Sequence, residues 1–220
     1  MLKAPLQDIV KALFSDKAFN AKHHLGAINS INWARILAQT VYYFLAYFSL
    51  CRGLPSSATP LIQFVVPTGN FGDILAGYYA KRMGLPMQSL AIATNANDIL
   101  ARFWKTGKYE KVESGPSDGR QIVGGGVKET LSPAMDILVS SNFERLLWYL
   151  AFEMAGNNGQ IACETLSGWM GKVKNDGRVE VPIAILEAAR RDFVAERVSD
   201  EQVRHLSVEV NRSFKADNLL

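Results

Sequence analysis

FVVPTGNFGDILAGYYAKRMG, residues 64–84, reads as strand, glycine loop and helix. Gln63–Val66 is compatible with a strand that stops at Pro67, and Thr68–Asp73 turns the chain into an amphipathic run. Phe71, Ile74, Leu75, Tyr78 and Tyr79 then fall on one helical face. Lys81 and Arg82 suit the negative end of that helix, and Gly84 supplies a left-handed cap. A loop with two glycines at a helix N-terminus aims several backbone N–H groups at one point, where the dipole favours an anion such as phosphate. The same geometry fits an ordinary tight connection from strand to helix, and local pattern leaves the two readings open.

On the C-terminal side, Ser89–Ala93 is expected to be a second strand, so 64–93 forms a βαβ unit, parallel and right-handed. Gly77, with Ala76 and Ala80, thins the helix for close packing, expected against the sheet. Asn95–Asp98 caps a helix through Trp104 that Gly107 stops, and Glu110–Glu129, rich in Gly, Ser and Pro, reads as a flexible loop. Its triple glycine, Gly124–Gly126, fits neither a dinucleotide fingerprint nor a Walker pattern. Ser141-Asn142-Phe143-Glu144 has the form of a capping box before the apolar stripe Leu146, Leu147, Leu150, Ala151 and Met154. Ile161–Val173 is expected as helix, then a turn at Asn175–Gly177, a helix from Pro182 to about Arg197, and a last helix boxed by Ser199 and Gln202.

On the N-terminal side, Gln7–Phe14 is a short amphipathic helix followed by a polar connection. Ser30 or Asn29 caps a long apolar helix running to about Phe48, expected to be buried on most sides. Residues 36–51 contain Gln39, Thr40 and Ser49 and fall short of the roughly twenty residues that cross a bilayer. Arg35, one turn into that helix, needs an anionic partner, a carboxylate or a bound ligand. Arg52–Pro60 is a linker.

With 220 residues, 48% of them hydrophobic and 20% charged, the chain has an ordinary globular balance that fits one domain or two small ones. The net charge of +3 is spread over 24 basic and 21 acidic residues without a basic stripe, which argues against nucleic acid. Cys51 and Cys163 have no metal-ligand spacing and read as buried thiols of a reducing, cytoplasmic compartment. His23 and His24 are adjacent and read as a surface pair; no metal is expected. Neither a secretory signal nor a membrane span is read.

NSINWAR (29–35), PTGNFGDILAGYYAKRMGLP (67–86), ATNANDIL (93–100), SPAMDI (132–137) and SSNFERLLWYL (140–150), in that order, resemble threonine synthase. The resemblance runs from Gln7 to about Phe214. It implies an α/β, three-layer pyridoxal-phosphate fold of type II, here partial, with a parallel βαβ core and a helical C-terminal part. The implied organisation is residues 1–28 as a remnant of the smaller domain, 29–155 as part of the large cofactor-binding domain, and 156–220 as a helical, family-specific segment. The family is a lyase of threonine biosynthesis that converts O-phosphohomoserine and water to threonine and phosphate with pyridoxal 5'-phosphate. By resemblance, Gly69, Asn70, Phe71, Gly72 and Asp73 hold the cofactor phosphate, and Asn32, Arg35 and Ser30 the substrate phosphate. Ser141 and Glu144 are left to capping.

Three departures from the family pattern stand out. Ala96 replaces an acidic residue of the ATNxND loop. Met1–Leu6 does not resemble what precedes QDIVK in the family. The Schiff-base lysine, which the family carries in an N-terminal FKD-type motif, has no counterpart among this chain's lysines, and the family's C-terminal strands do not follow. The resemblance therefore implies the middle of the enzyme, an inactive fragment whose exposed sheet edges favour self-association. The alternative is a non-catalytic phosphate- or cofactor-binding protein derived from that fold.

Overall fold

In the computed structural model, the described residues are 9, 12–26, 29–55, 59–111, 122–123 and 126–202. The expected βαβ unit forms. Strand β1 (Val65–Pro67) leads through the glycine loop into a helix over Gly72–Arg82, and β2 (Leu90–Thr94) returns parallel to β1, with Val66 opposite Ile92. That helix ends as expected: Gly84 has φ 98°, its N–H donates to Lys81 C=O, and the N–H of Leu85 donates to Ala80 C=O.

The helices in chain order are α1 (Lys17–His23), α2 (Trp33–Cys51), α3 (Gly72–Arg82), α4 (Ile99–Thr106), α5 (Phe143–Met154), α6 (Gly159–Asp176) and α7 (Ile183–Asp192). Two two-stranded antiparallel pairs complete the described fold: β3 (Lys108–Glu110) with β6 (Arg178–Glu180), and β4 (Ile122–Val123) with β5 (Val127–Lys128).

The structure corrects several expectations. The helix from Pro182 stops at Asp192, and Phe193–Arg197 becomes β7, which joins β2 in parallel so that the sheet order is β1-β2-β7. Phe193 has extended dihedrals and its ring is buried against Phe71, Tyr78 and Trp104, a set of contacts only the sheet position offers. The segment 110–129 is not all loop, because Glu110 closes β3 and the β4–β5 hairpin lies within it; residues 112–121 fall outside the described set. The polar connection after Phe14 contains α1, capped by the Asp16 carboxylate on the N–H groups of Ala18 and Phe19. Residues 12–15 are helical, while most of 7–11 falls outside the described set, as does the last helix beyond Gln202. The Ser199–Gln202 box is made reciprocally: Ser199 N–H donates to Gln202 Oε1 at 2.8 Å, and Gln202 N–H donates to Ser199 Oγ at 3.2 Å.

Helix α2 is buried along one stripe, Ile36, Thr40, Tyr43 and Tyr47, and not on most sides. Trp33, Leu37, Val41, Leu45 and Phe48 are exposed on its other faces. Its cap is Asn32, whose Oδ1 accepts from Ala34 N–H, and Asn29 instead accepts from Ile31 N–H. Gly77 meets α2 and not the sheet, with the ring of Tyr43 against it. Cys163 is exposed, contrary to the buried thiol expected.

Candidate anion site at the N-terminus of helix α3

Phe71 is the residue that turns strand into helix. It adopts φ 63° and ψ 12°, a left-handed conformation unusual for a bulky side chain, immediately before the helical Gly72. Its ring, 1% exposed, points into the core between Trp104, Phe143 and Phe193. A left-handed residue followed by right-handed helical ones is the backbone pattern that gathers successive N–H groups into a concave nest. Among the described residues no side chain caps α3. The helix therefore begins with orphan donors and the positive end of its dipole, a combination suited to an anion.

These donors open onto a cavity of about 330 Å³ lined by Ser30, Arg35, Gln39, residues 67–74, Ala134 and Met135. Two stretches far apart in sequence, 30–39 and 67–74, meet there. Ser30 and Arg35 line it, and Arg35 lies on its exposed rim and not in a buried helix face. Asn32 caps α2 and is not among the residues that line the cavity. Position 69 is tight: a Cβ there would stand 3.0 Å from Met135 Cα and 3.2 Å from Ala134 C=O, so a side chain would press on the backbone of the 3₁₀ turn. Asp73 is the one acid in the lining, and burial pushes its carboxyl above the usual aspartate value.

The loop is held from behind by residues that sequence reasoning treated differently. Ser140 Oγ donates to Gly69 C=O at 2.9 Å, and the Asn142 N–H donates to Asn70 C=O at 3.0 Å. The expected capping box at Ser141–Glu144 is not made. Ser141 Oγ is buried without a hydrogen-bond partner among the described residues, and no side chain caps α5. Asn142, fully buried, sends its amide to Ser30 C=O and Asn70 C=O instead. The signal was present in SSNFER as a resemblance, yet its local pattern matched a helix start.

The floor at Ala134–Met135 is a 3₁₀ turn anchored through Asp136. The Asp136 carboxylate accepts from Asn95 Nδ2 at 2.7 Å, Asn97 Nδ2 at 3.1 Å, and Thr130 Oγ1 and N–H at 2.7 and 3.1 Å. Asn95 and Asn97 were expected to cap α4; their amides serve this network. Ala96 between them is buried and adds no polar group. Among the described residues no group of three His, Cys, Asp or Glu is placed to hold a metal, and no helix is long and apolar enough to cross a membrane.

A parallel βαβ core whose glycine loop opens a helix beside an arginine-rimmed cavity defines an α/β protein with a candidate anion site at a strand-to-helix turn. The relatives name the protein to which it is similar. It is 58% identical over 201 residues to threonine synthase of Schizosaccharomyces pombe, covering 89% of this chain and 38% of that one. It is 55% identical over 197 residues to threonine synthase of Saccharomyces cerevisiae, covering 89% and 35%. It is 46% identical over 207 residues to threonine synthase of Pseudomonas aeruginosa, covering 94% and 39%.

Solved structures agree. The crystal structure of threonine synthase from yeast superposes with a TM-score of 0.75 at 54% identity, covering 89% of this chain and 35% of that chain. That of PLP-bound threonine synthase from Brucella melitensis superposes with a TM-score of 0.70 at 44% identity, covering 88% and 36%. No family model matches the chain. By sequence and by fold the chain thus resembles a segment of threonine synthase, and it spans between 35% and 39% of the length of these curated relatives.

Proposed function

We propose that this chain carries the phosphate-holding part of a threonine synthase: the loop Gly69–Asp73 takes the phosphate of pyridoxal 5'-phosphate, and Ser30 and Arg35 take that of O-phosphohomoserine, with Asn32 capping the helix that presents Arg35. The observation that carries the reading is the meeting of 30–39 and 67–74 in one cavity at the uncapped N-terminus of α3. Backbone N–H groups and the dipole bind a dianion without a counter-charge on the loop itself. The guanidinium of Arg35 supplies a fork for a second phosphate at the rim. The division at 28/29 and 155/156 belongs to the same proposal, as does a cytoplasmic location.

Bound pyridoxal phosphate supplies an electron sink for the substrate's α-carbon chemistry. The chain's own part is to bind and orient. No lysine is among the described residues that line the cavity, so we assign the chain no turnover by itself. That same lack favours a second reading, a phosphate- or cofactor-binding protein without chemistry. Self-association through the two sheet edges, β1 and β7, is part of either reading.

The test is calorimetric titration of the chain with pyridoxal 5'-phosphate, pyridoxal and inorganic phosphate. The expected result is binding of the phosphate-bearing ligand about tenfold or more tighter than pyridoxal, with Arg35→Ala weakening phosphate by a similar factor. Equal affinities for the two pyridoxal forms would sink the assignment.

A further inference from the structure

The amide of Asn142 stands where the two halves of the cavity meet. Its Nδ2 donates to Ser30 C=O at 2.9 Å and to Asn70 C=O at 2.9 Å, groups that are 112 and 72 residues away in sequence. Both hydrogens of one planar NH2 group are thereby committed, so the carbonyls cannot drift apart without losing a bond. Arg145 fixes which way the amide faces: its Nη1 donates to Asn142 Oδ1 at 2.6 Å, and only the oxygen can accept there. Its Nη2 reaches Ile31 C=O at 2.7 Å. The asparagine is 0% exposed, so water cannot replace a bond it gives up. A Cβ on Gly72 would stand 3.6 Å from Asn142 Nδ2 and 3.9 Å from Ser30 C=O, which puts this junction directly beneath the loop.

We propose that Asn142, backed by Arg145, is a positioning residue that sets the gap between the loop Gly69–Asp73 and the segment Ser30–Arg35, and with it the spacing of the two phosphate-holding half-sites. The inference rests on the function proposed above for what the half-sites hold; the clamp itself rests on the hydrogen bonds. The competing role for an asparagine at this position is to cap α5, and its side chain makes no such bond. The two roles respond oppositely to aspartate. A carboxylate is a good helix cap and would keep Arg145, but it has no N–H to give to Ser30 or Asn70.

The experiment uses the whole chain, with Asn142→Asp and the milder Arg145→Lys. Amide hydrogen exchange is followed by mass spectrometry over 29–35 and over 74–78, the first protected turn that the loop leads into, with 159–176 as the reference, and inorganic phosphate binding by calorimetry. Asn142→Asp is expected to raise exchange in both segments together by about tenfold or more, to leave 159–176 unchanged, and to weaken phosphate by a comparable factor. Arg145→Lys, which gives up the bond to Ile31 C=O, is expected to raise exchange at 29–35 while sparing 74–78. Unchanged exchange in Asn142→Asp, or wild-type phosphate affinity in it, overturns the inference. If Asn142→Asp unfolds, the neutral Asn142→Ser, which cannot reach both carbonyls, is measured in the same way: raised exchange at 29–35 and 74–78 with weakened phosphate supports the role, and unchanged values overturn it. Should the wild-type chain take up no phosphate, the functional reading fails, and the exchange pattern still decides the positioning role.

Discussion

Gly77 lies under the ring of Tyr43: a Cβ there would stand 2.6 Å from Tyr43 Cε1 and 2.7 Å from Cζ. The ring is not free to move aside, because its hydroxyl donates to Asp73 C=O at 2.9 Å and its edge meets Phe64 with centroids 5.0 Å apart. Gly77→Ala gains about 1 kcal/mol of helix propensity. It loses about 1–3 kcal/mol to overpacking, toward the upper end at so short a distance. The net expectation is destabilisation by about 1–2 kcal/mol, seen as a lower urea midpoint. In a Tyr43→Ala background the same change should become neutral or stabilising, and a stabilised single variant would show that the ring yields.

Phe71 sets strain against packing. Relief of a left-handed backbone by Phe71→Gly is worth about 1–2 kcal/mol. Loss of a ring packed among Trp104, Phe143 and Phe193 costs about 3–5 kcal/mol. Thermal melts should therefore show the variant less stable by about 2 kcal/mol, and a rise in Tm would mean that strain dominates.

The raised carboxyl of Asp73 predicts a pH dependence of stability. Between its ordinary value of 3.8 and its higher folded value, the native chain binds more protons than the unfolded chain. Stability from this group is therefore present below the ordinary value and declines as pH rises through that window. Asp73→Asn removes the effect, so its stability relative to wild type should increase with pH across the window and then level off. Urea midpoints of both proteins from acid to neutral pH measure this, and parallel curves would refute it.

Asp136 carries the floor of the cavity. Asp136→Ala leaves the amides of Asn95 and Asn97 and the Thr130 hydroxyl without their shared acceptor. A hydrogen bond to a charged group contributes about 1.5–3 kcal/mol. The expected outcome is a loss of about 2–4 kcal/mol in chemical denaturation, with proteolysis appearing first around 127–136. Asp136→Asn, which keeps one acceptor oxygen, should lose about half as much.

The parts of the fold that were legible in the sequence are those whose causes are local. Pro67, the glycines at 69 and 72, and the caps Gly84 and Gly107 act through their own backbone, and the βαβ unit followed from them. Strand β7 was not legible because Arg190 and Arg191 continue a helical pattern into Phe193, and only β2, a hundred residues away, offers the edge that makes extension preferable. The same Ser-x-x-Glu/Gln pattern was realised at Ser199 and overridden at Ser141. At Ser199 the hydroxyl and the Gln202 amide meet each other's backbone N–H, whereas Ser140 and Asn142, on either side of Ser141, are enlisted by the loop in front of them. In the candidate site, resemblance identified residues that line the cavity. The residues that hold its walls apart needed the structure, because their partners are carbonyls, which leave no trace in side-chain identity.

That the clamp at Asn142 and Arg145 grips main-chain oxygens of residues 30, 31 and 70 has a consequence for how such a site can diversify. Every residue has a carbonyl, so side chains on the cavity wall can be exchanged for others while the width of the opening stays constant. Altered ligand preference is thereby open to single substitutions at 30, 35 or 70, whereas a change at 142 would have to be matched at several places at once.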